Sequence, residues 1–139
     1  MKKTHTILLV DDDPDIRASL RRALHDTEYR VIEAGSGEHG VEFLQSESVI
    51  DVVISDFSMP GMNGVDFLHQ VRMRRPDALR VILTGELDVQ VAARALNEGA
   101  AHKFLLKPWE RVDLINTVRI AQRTVPRAHV SPPAPKDAR

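Results

Sequence analysis

Residues 52–64 read VVISDFSMPGMNG, from Val52 to Gly64. The stretch begins as a β-branched apolar run, breaks at a single acid, Asp56, and enters a loop of Pro, Gly and Asn. A short apolar run bounded by turn residues predicts a strand covered on both faces, and such strands belong to parallel sheets. Open parallel sheets present their chemistry beyond the carboxyl ends of their strands. Asp56 stands at such an end, so the other strand ends decide what it can do.

Upstream, TILLV (Thr6–Val10) is a second continuous apolar run, followed by Asp11, Asp12, Asp13 and Pro14. Asp13 suits a helix N-cap and Pro14 the first helical position. Ile16, Leu20, Ala23 and Leu24 then fall at helical spacing and predict a helix over 14–26. Residues 30–34 (RVIEA) predict a short strand. Ser36 is a possible N-cap for a helix marked by Val41 and Leu44 that ends near Ser46. The third strand is expected over 51–55. Downstream, Val65, Leu68 and Val71 mark a third helix, which Pro76 terminates. Residues 79–83 predict the fourth strand and 88–98 the fourth helix, with Gly99 just past its end. Residues 103–106 predict the fifth strand. Residues 110–123 predict the fifth helix, with Leu114, Ile115 and Val118 apolar. This βαβαβαβαβα alternation calls for a doubly wound α/β fold, a parallel sheet with helices on both faces. Right-handed crossovers bring every strand's carboxyl end to one edge.

The chain has 139 residues, enough for one domain with its own core. Its net charge of −1 gives no global reason to expect nucleic acid or a membrane surface as a direct partner. The absence of cysteine excludes disulfides, thiolate nucleophiles and Cys-based zinc sites. Ile7–Val10 is too short for the apolar region of a signal peptide, and no run approaches a membrane span, so a cytoplasmic location is expected. From Thr124 onward the chain holds four of its eight prolines and no aromatic residue. Residues 124–139 are therefore expected to be a Pro-rich linker or disordered tail behind a domain of residues 1–123.

The chemical edge then carries Asp11, Asp12 and Asp13 after strand one and Asp56 after strand three. Thr84 with Gly85 follows strand four, and Lys107-Pro108 follows strand five. Clustered carboxylates repel and need a cation to stay ionised. Oxygen ligands in a solvent-open site suit Mg²⁺, which keeps waters and takes one or two carboxylates plus a phosphate oxygen. Lysine adds a positive charge and threonine a short donor. Together they would surround a phosphoryl group carried on Asp, a known covalent nucleophile.

These residues resemble the receiver domain of two-component response regulators. The matching pieces are LLVDDDP (8–14), D-x-x-M-P-x-M-x-G (56–64), LTG (83–85) and A-x-x-F-x-x-K-P (101–108), in order and at compatible intervals over about residues 5–123. The resemblance implies a flavodoxin-like, five-stranded sheet of order 2-1-3-4-5 with five helices. It implies that Asp56 is the phosphoacceptor. Asp12 would ligate Mg²⁺ (or Mn²⁺) directly, Asp11 through a water, and Ser58 through its backbone carbonyl. Lys107 would pair with the phosphoryl group, Thr84 would move to hydrogen-bond it, and Phe104 would turn inward with Thr84. Ser58 and Glu86 would tune the phosphoryl lifetime. The donor would be a sensor histidine kinase or phosphotransfer protein. The face of helix four, strand five and helix five would switch to serve a homodimer or an effector, with Val89, Gln90, Arg94, Lys103 and Arg111 as surface candidates. Beyond its own phosphorylation and dephosphorylation no enzymatic activity is implied.

Plainer readings apply to other residues. Asp13 is a cap, and Asp56 alone could be one. The six histidines show no metal-ligand spacing and read as surface residues. Arg72, Arg74, Arg75 and Arg80 read as a solvated basic face near a helix C-terminus. Trp109 reads as packing or partner surface. Two rival functions share the sheet. A haloacid-dehalogenase-like phosphohydrolase would want a second Asp where Ser58 stands, and a pseudo-receiver would lack an acid, the Thr or the Lys.

Overall fold

Strand and helix alternate from end to end in the computed structural model, which describes residues 2–85 and 88–124, with side chains given as far as Arg119. In order they are β1 (His5–Val10), α1 (Pro14–Ala23), β2 (Tyr29–Ala34), α2 (Gly37–Ser46), β3 (Val52–Asp56), α3 (Gly64–Arg74), β4 (Leu79–Gly85), α4 (Val89–Asn97), β5 (Lys103–Lys107) and α5 (Arg111–Thr124). The five strands are all parallel, in the order β2-β1-β3-β4-β5. The expected fold class and strand order both hold.

The apolar runs of β1 and β3 are continuous because both faces are covered. Ile7–Val10 and Val52–Ile54 are each at most 1% exposed. Side chains alternate across a strand, so each run feeds two cores. Leu8, Val10, Val53 and Ile82 meet α2, α3 and α4 through Leu44, Phe67, Leu68, Val71, Ala92 and Ala95. Ile7, Leu9, Val52, Ile54, Val81 and Leu83 meet α1 and α5 through Leu20, Leu114, Ile115 and Val118. Helix starts are set by short polar side chains that satisfy otherwise free amides. Asp13 accepts from the Asp15 N–H, Ser36 from that of His39, and Asn63 from that of Asp66.

The element ends depart from the apolar pattern in two ways. Helix α1 stops at Ala23, short of the expected residue 26. The Thr27 hydroxyl donates to the Leu24 carbonyl (2.6 Å), and Lys3 Nζ donates to the His25 and Thr27 carbonyls, which holds the chain in a turn there. Strands β3, β4 and β5 run one or two residues past their last apolar position, because the ladder pairs Asp56 with Leu83 and Gly85 with Lys107.

The expected solvated basic face holds for Arg72 and Arg74, which are exposed, but not for Arg75 and Arg80. Arg80 is 6% exposed and donates to the Gly99 and Ala100 carbonyls at 3.1 and 2.9 Å. Arg72 donates to the Glu98 carbonyl, so both guanidiniums close the C-terminus of α4. Arg75 donates to the Leu44, Glu47 and Ser48 carbonyls at the end of α2. Free carbonyls at a helix end attract a planar five-donor cation, and this draws Arg75 and Arg80 out of solvent. Of the four, Arg72 and Arg74 stay on the surface, Arg74 donating to Gln70. Arg75→Ala is expected to lower stability by about 2 kcal/mol, the usual worth of charge-assisted hydrogen bonds, as read by urea unfolding. A loss below a few tenths would refute the capping role.

The histidines are mixed. His25 and His39 are exposed as expected, but His5 is half-buried against the Tyr29 ring. His69 is half-buried too, 3.8 Å from the Glu98 carboxylate. His102, though exposed, accepts the Arg80 amide through Nδ1. His129 lies outside the described residues.

Candidate functional site

The parallel register carries four chemical residues to one edge. Val10 lies opposite Ser55, Asp56 opposite Leu83, and Gly85 opposite Lys107. Asp11 follows β1, Asp56 ends β3, Thr84 stands one residue from the end of β4, and Lys107 ends β5. Asp11, Asp56 and Thr84 are 1%, 5% and 1% exposed. Asp12 is exposed.

One ligand oxygen from each of Asp11, Asp12 and Asp56 lies within 4.8 Å of the others. Lys107 Nζ stands 2.8 Å from Asp56 Oδ1 and 3.6 Å from Asp11 Oδ2. One ammonium thus serves two buried carboxylates and leaves the exposed Asp12 side open. Asp11 Oδ1 accepts the Asp13 amide at 2.9 Å, while Asp11 Oδ2 is buried without a hydrogen bond. With only the Lys107 ammonium at 3.6 Å beside it, this buried carboxylate oxygen has room to accept a further cation. The donor set is all oxygen, so a hard divalent ion fits it, and the acidic pocket can hold a metal ion.

The electrostatics follow from burial. Desolvation pushes the Asp11 carboxyl up to about 6, opposed by the Asp13 amide and helped by the nearby Asp56 charge. Burial also raises the Asp56 carboxyl, against the hydrogen bond and charge of Lys107. Burial alone would lower Lys107, but its hydrogen bond to Asp56 and the charges of Asp11 and Asp56 raise it on balance. Lys107 therefore stays charged, and the two acids share more negative charge than one lysine can neutralise.

Other expected site residues are placed as follows. Ser58 is exposed in the β3–α3 loop, beyond Asp56. The Thr84 hydroxyl donates to the Gly85 carbonyl at 3.3 Å. Phe104 is 37% exposed on β5, facing outward. Glu86 lies outside the described residues. Val89, Gln90 and Arg94 are exposed and Lys103 is half-buried. Arg111 is exposed too, on the side of α5 that faces α1. Its guanidinium donates to the Ala23 carbonyl at 3.0 Å and to Asp26 at 2.8 Å, so it closes the end of α1. Trp109 packs on the core beneath α1 and α5. The Lys107-Pro108 peptide is cis.

Two contributors escaped sequence reading. Arg17 on α1 donates to the Asp11 carbonyl at 2.5 Å and to Glu33 at 3.2 Å. Its side-chain partner Glu33 lies 16 residues away on β2, so no local spacing marks the pair. Gly64 is packed where a Cβ would stand 2.0 Å from the Asp56 carbonyl oxygen. The sequence marks it as a turn glycine, without saying why nothing larger fits.

Comparison with known proteins agrees with this geometry. The response regulator receiver domain family matches residues 7–119. The hydrogenase transcriptional regulatory protein HoxA of Cupriavidus necator is 38% identical over 119 residues, covering 86% of this chain and 24% of that protein. The chain thus spans about a quarter of the length of the curated relatives it matches first. A response regulator receiver domain protein from Clostridium thermocellum superposes with a TM-score of 0.79 at 32% identity, covering 85% of this chain and 94% of that one. The signal receiver domain of an HD domain-containing protein from Pseudomonas fluorescens Pf-5 gives 0.80 at 32% identity, covering 87% and 96%. Among the described residues no helix is long and apolar enough to cross a membrane. With a parallel sheet of order 2-1-3-4-5 and three acids and a lysine gathered at its carboxyl edge, the chain belongs to the response regulator receiver domain family of two-component systems.

Proposed function

We propose that Asp56 accepts a phosphoryl group from a phosphohistidine of a sensor histidine kinase or phosphotransfer protein. The observation that carries this reading is Lys107 Nζ at 2.8 Å from Asp56 Oδ1, inside a three-carboxylate cluster. A carboxylate oxygen of Asp56 attacks phosphorus, a P–O bond forms, the P–N bond breaks, and the imidazole nitrogen leaves with a proton from solvent. The chain's part is positioning and charge neutralisation, which is most of what phosphoryl transfer needs. Lys107 keeps Asp56 ionised and neutralises a phosphoryl oxygen. Asp12 and Asp56 would hold Mg²⁺ (or Mn²⁺) directly, Asp11 through a water, and Ser58 through its carbonyl. That ion would offset the charge on the transferring oxygens.

The acyl phosphate adds charge and acceptors at the edge of the sheet. Thr84 leaves the Gly85 carbonyl to donate to it, and Phe104 turns inward into the space behind. This shifts a pre-existing equilibrium at the face of α4, β5 and α5, where Val89, Gln90, Arg94 and Lys103 stand. That face serves a homodimer or an effector. The relatives' names as transcriptional regulators and their greater length support an effector linked beyond this domain. We read residues 1–123 as the receiver and the Pro-rich 124–139, which past Thr124 lies outside the described residues, as its linker or tail, in a cytoplasmic protein. Ser58 and Glu86 tune the phosphoryl lifetime, with Glu86 screening the incoming water. Autodephosphorylation of Glu86→Ala at the wild-type rate would refute that screening role.

The test is incubation with acetyl phosphate and Mg²⁺. A labile adduct one phosphoryl group heavier is expected by intact-protein mass spectrometry in the wild type and not in Asp56→Asn. No adduct in the wild type would favour a phosphorylation-independent interaction module. Turnover of phosphate esters would favour a hydrolase.

A further inference from the structure

Behind the acid cluster lies a second polar group that the proposed chemistry does not use. Arg17 is 20% exposed at its side chain and Glu33 25%. Arg17 Nη1 donates to the Asp11 carbonyl at 2.5 Å and Nε to Glu33 Oε1 at 3.2 Å. Arg21, one helical turn on, pairs with the other oxygen of Glu33. The Asp11 amide is held by the Ala34 carbonyl at 3.2 Å. Both sides of the Asp11 backbone are thus tied to β2, one directly and one through Arg17 and Glu33.

We propose that Arg17, anchored by Glu33, is a positioning residue that fixes the Asp11–Asp12 peptide and so sets the affinity of the acid cluster for a divalent cation. The inference rests on the reading of Asp11, Asp12 and Asp56 as metal-holding residues. Asp11 spends Oδ1 on the Asp13 amide and leaves Oδ2 buried without a hydrogen bond, so its side chain has little freedom to find a cation if the backbone moves. A planar guanidinium bridges two acceptors at fixed angles, which an ammonium cannot reproduce. Residues behind a metal site commonly change its affinity by tenfold or more when removed.

The sign of the effect separates positioning from plain electrostatics. Arg17 is a cation beside a cation site. Were it only a charge, its removal would tighten cation binding; as a positioning residue, its removal weakens it. The test measures Mn²⁺ binding to the unphosphorylated full chain from the free-ion electron paramagnetic resonance signal, on variants whose circular dichroism is that of the wild type. Arg17→Ala is expected to raise the dissociation constant about tenfold. Arg17→Lys keeps the charge and is expected to raise it about threefold, an intermediate loss since one ammonium cannot bridge both acceptors. Unchanged or tighter binding in Arg17→Ala overturns the proposal. If Arg17→Ala does not fold, wild-type affinity in Arg17→Lys overturns it instead. Asp12→Asn reports on the underlying site separately. If that variant binds Mn²⁺ like the wild type, the metal-site reading itself is wrong.

Discussion

Gly64→Ala is expected to cost about 3 kcal/mol of stability or more, at the upper end of overpacking losses, and to impair phosphoryl acceptance by Asp56 in whatever fraction stays folded. A Cβ built at Gly64 meets the Asp56 carbonyl oxygen at 2.0 Å and Phe57 Cα at 2.9 Å. These are backbone atoms, so no side chain can rotate away to make room. The same contact is fastened by the Gly64 amide, which donates to the Phe57 carbonyl at 2.9 Å. The first residue of α3 is therefore pressed onto the end of β3, and the loop between them closes tightly behind Asp56. Relief requires the two elements to part, which shifts the carboxylate relative to Lys107. Gly85→Ala is the matched control. It lies on the same edge, but a Cβ there meets nothing within 4 Å, so a change within about 0.5 kcal/mol is expected. Urea unfolding of both variants decides it. Equal small losses would mean that the β3–α3 junction yields without cost.

The contrast shows what the sequence could and could not reveal. The strand carrying Asp56 was readable because burial on both faces demands an unbroken apolar run. Lys107 was readable because a lysine after Phe104-Leu105-Leu106 stands at the end of a strand. Strand ends read from the sequence fall one or two residues short, at Ser55, Leu83 and Leu106, because hydropathy reports burial while the ladder also includes Asp56, Thr84, Gly85 and Lys107. The burial of Arg75 and Arg80 and the role of Arg17 escape the sequence for a related reason. Arg17, Arg75 and Arg80 all donate to backbone carbonyls on other elements, and a carbonyl leaves no mark in the sequence. Gly64 shows a third limit. A glycine near Pro60, Gly61 and Asn63 reads as turn chemistry, whereas its need here is space against a strand 8 residues earlier in the chain. What stayed hidden was the support of the site, held by main-chain contacts between distant segments.

That support also sets the pH behaviour of the cation-free protein, whose stability is expected to fall as pH rises from about 4 to 6. The Asp11 carboxyl, ordinarily at 3.8, stands at about 6 in the folded chain, chiefly through burial. Between those values the folded state binds more protons than the unfolded state. Stability from this group is therefore complete below the unfolded value and is lost as pH climbs through the folded one. A shift of this size corresponds to about 3 kcal/mol. Asp56 is raised in the same direction and steepens the loss. Lys107 does not offset it in this window, since its own raised value keeps it charged throughout. Asp11→Asn removes the buried charge but keeps an oxygen to accept the Asp13 amide. Without cation at pH 7, this variant is expected to be about 2 kcal/mol more stable than the wild type, a discount for the amide group now facing Lys107. Its stability should be nearly flat from pH 4 to 6, apart from the contribution of Asp56. Divalent cation should reverse the ranking. It competes with protons for the carboxylates, so Mg²⁺ at pH 7 should raise the midpoint of the wild type well above its effect on Asp11→Asn. Thermal unfolding across pH, with and without Mg²⁺, reads all of this. A wild type equally stable at pH 4.5 and 7 without cation would mean that Asp11 is hydrated more fully than its burial implies. The same strain that makes the empty acid pair costly near neutral pH is what a cation relieves, so the instability of the pocket and its affinity for a metal ion have one physical origin.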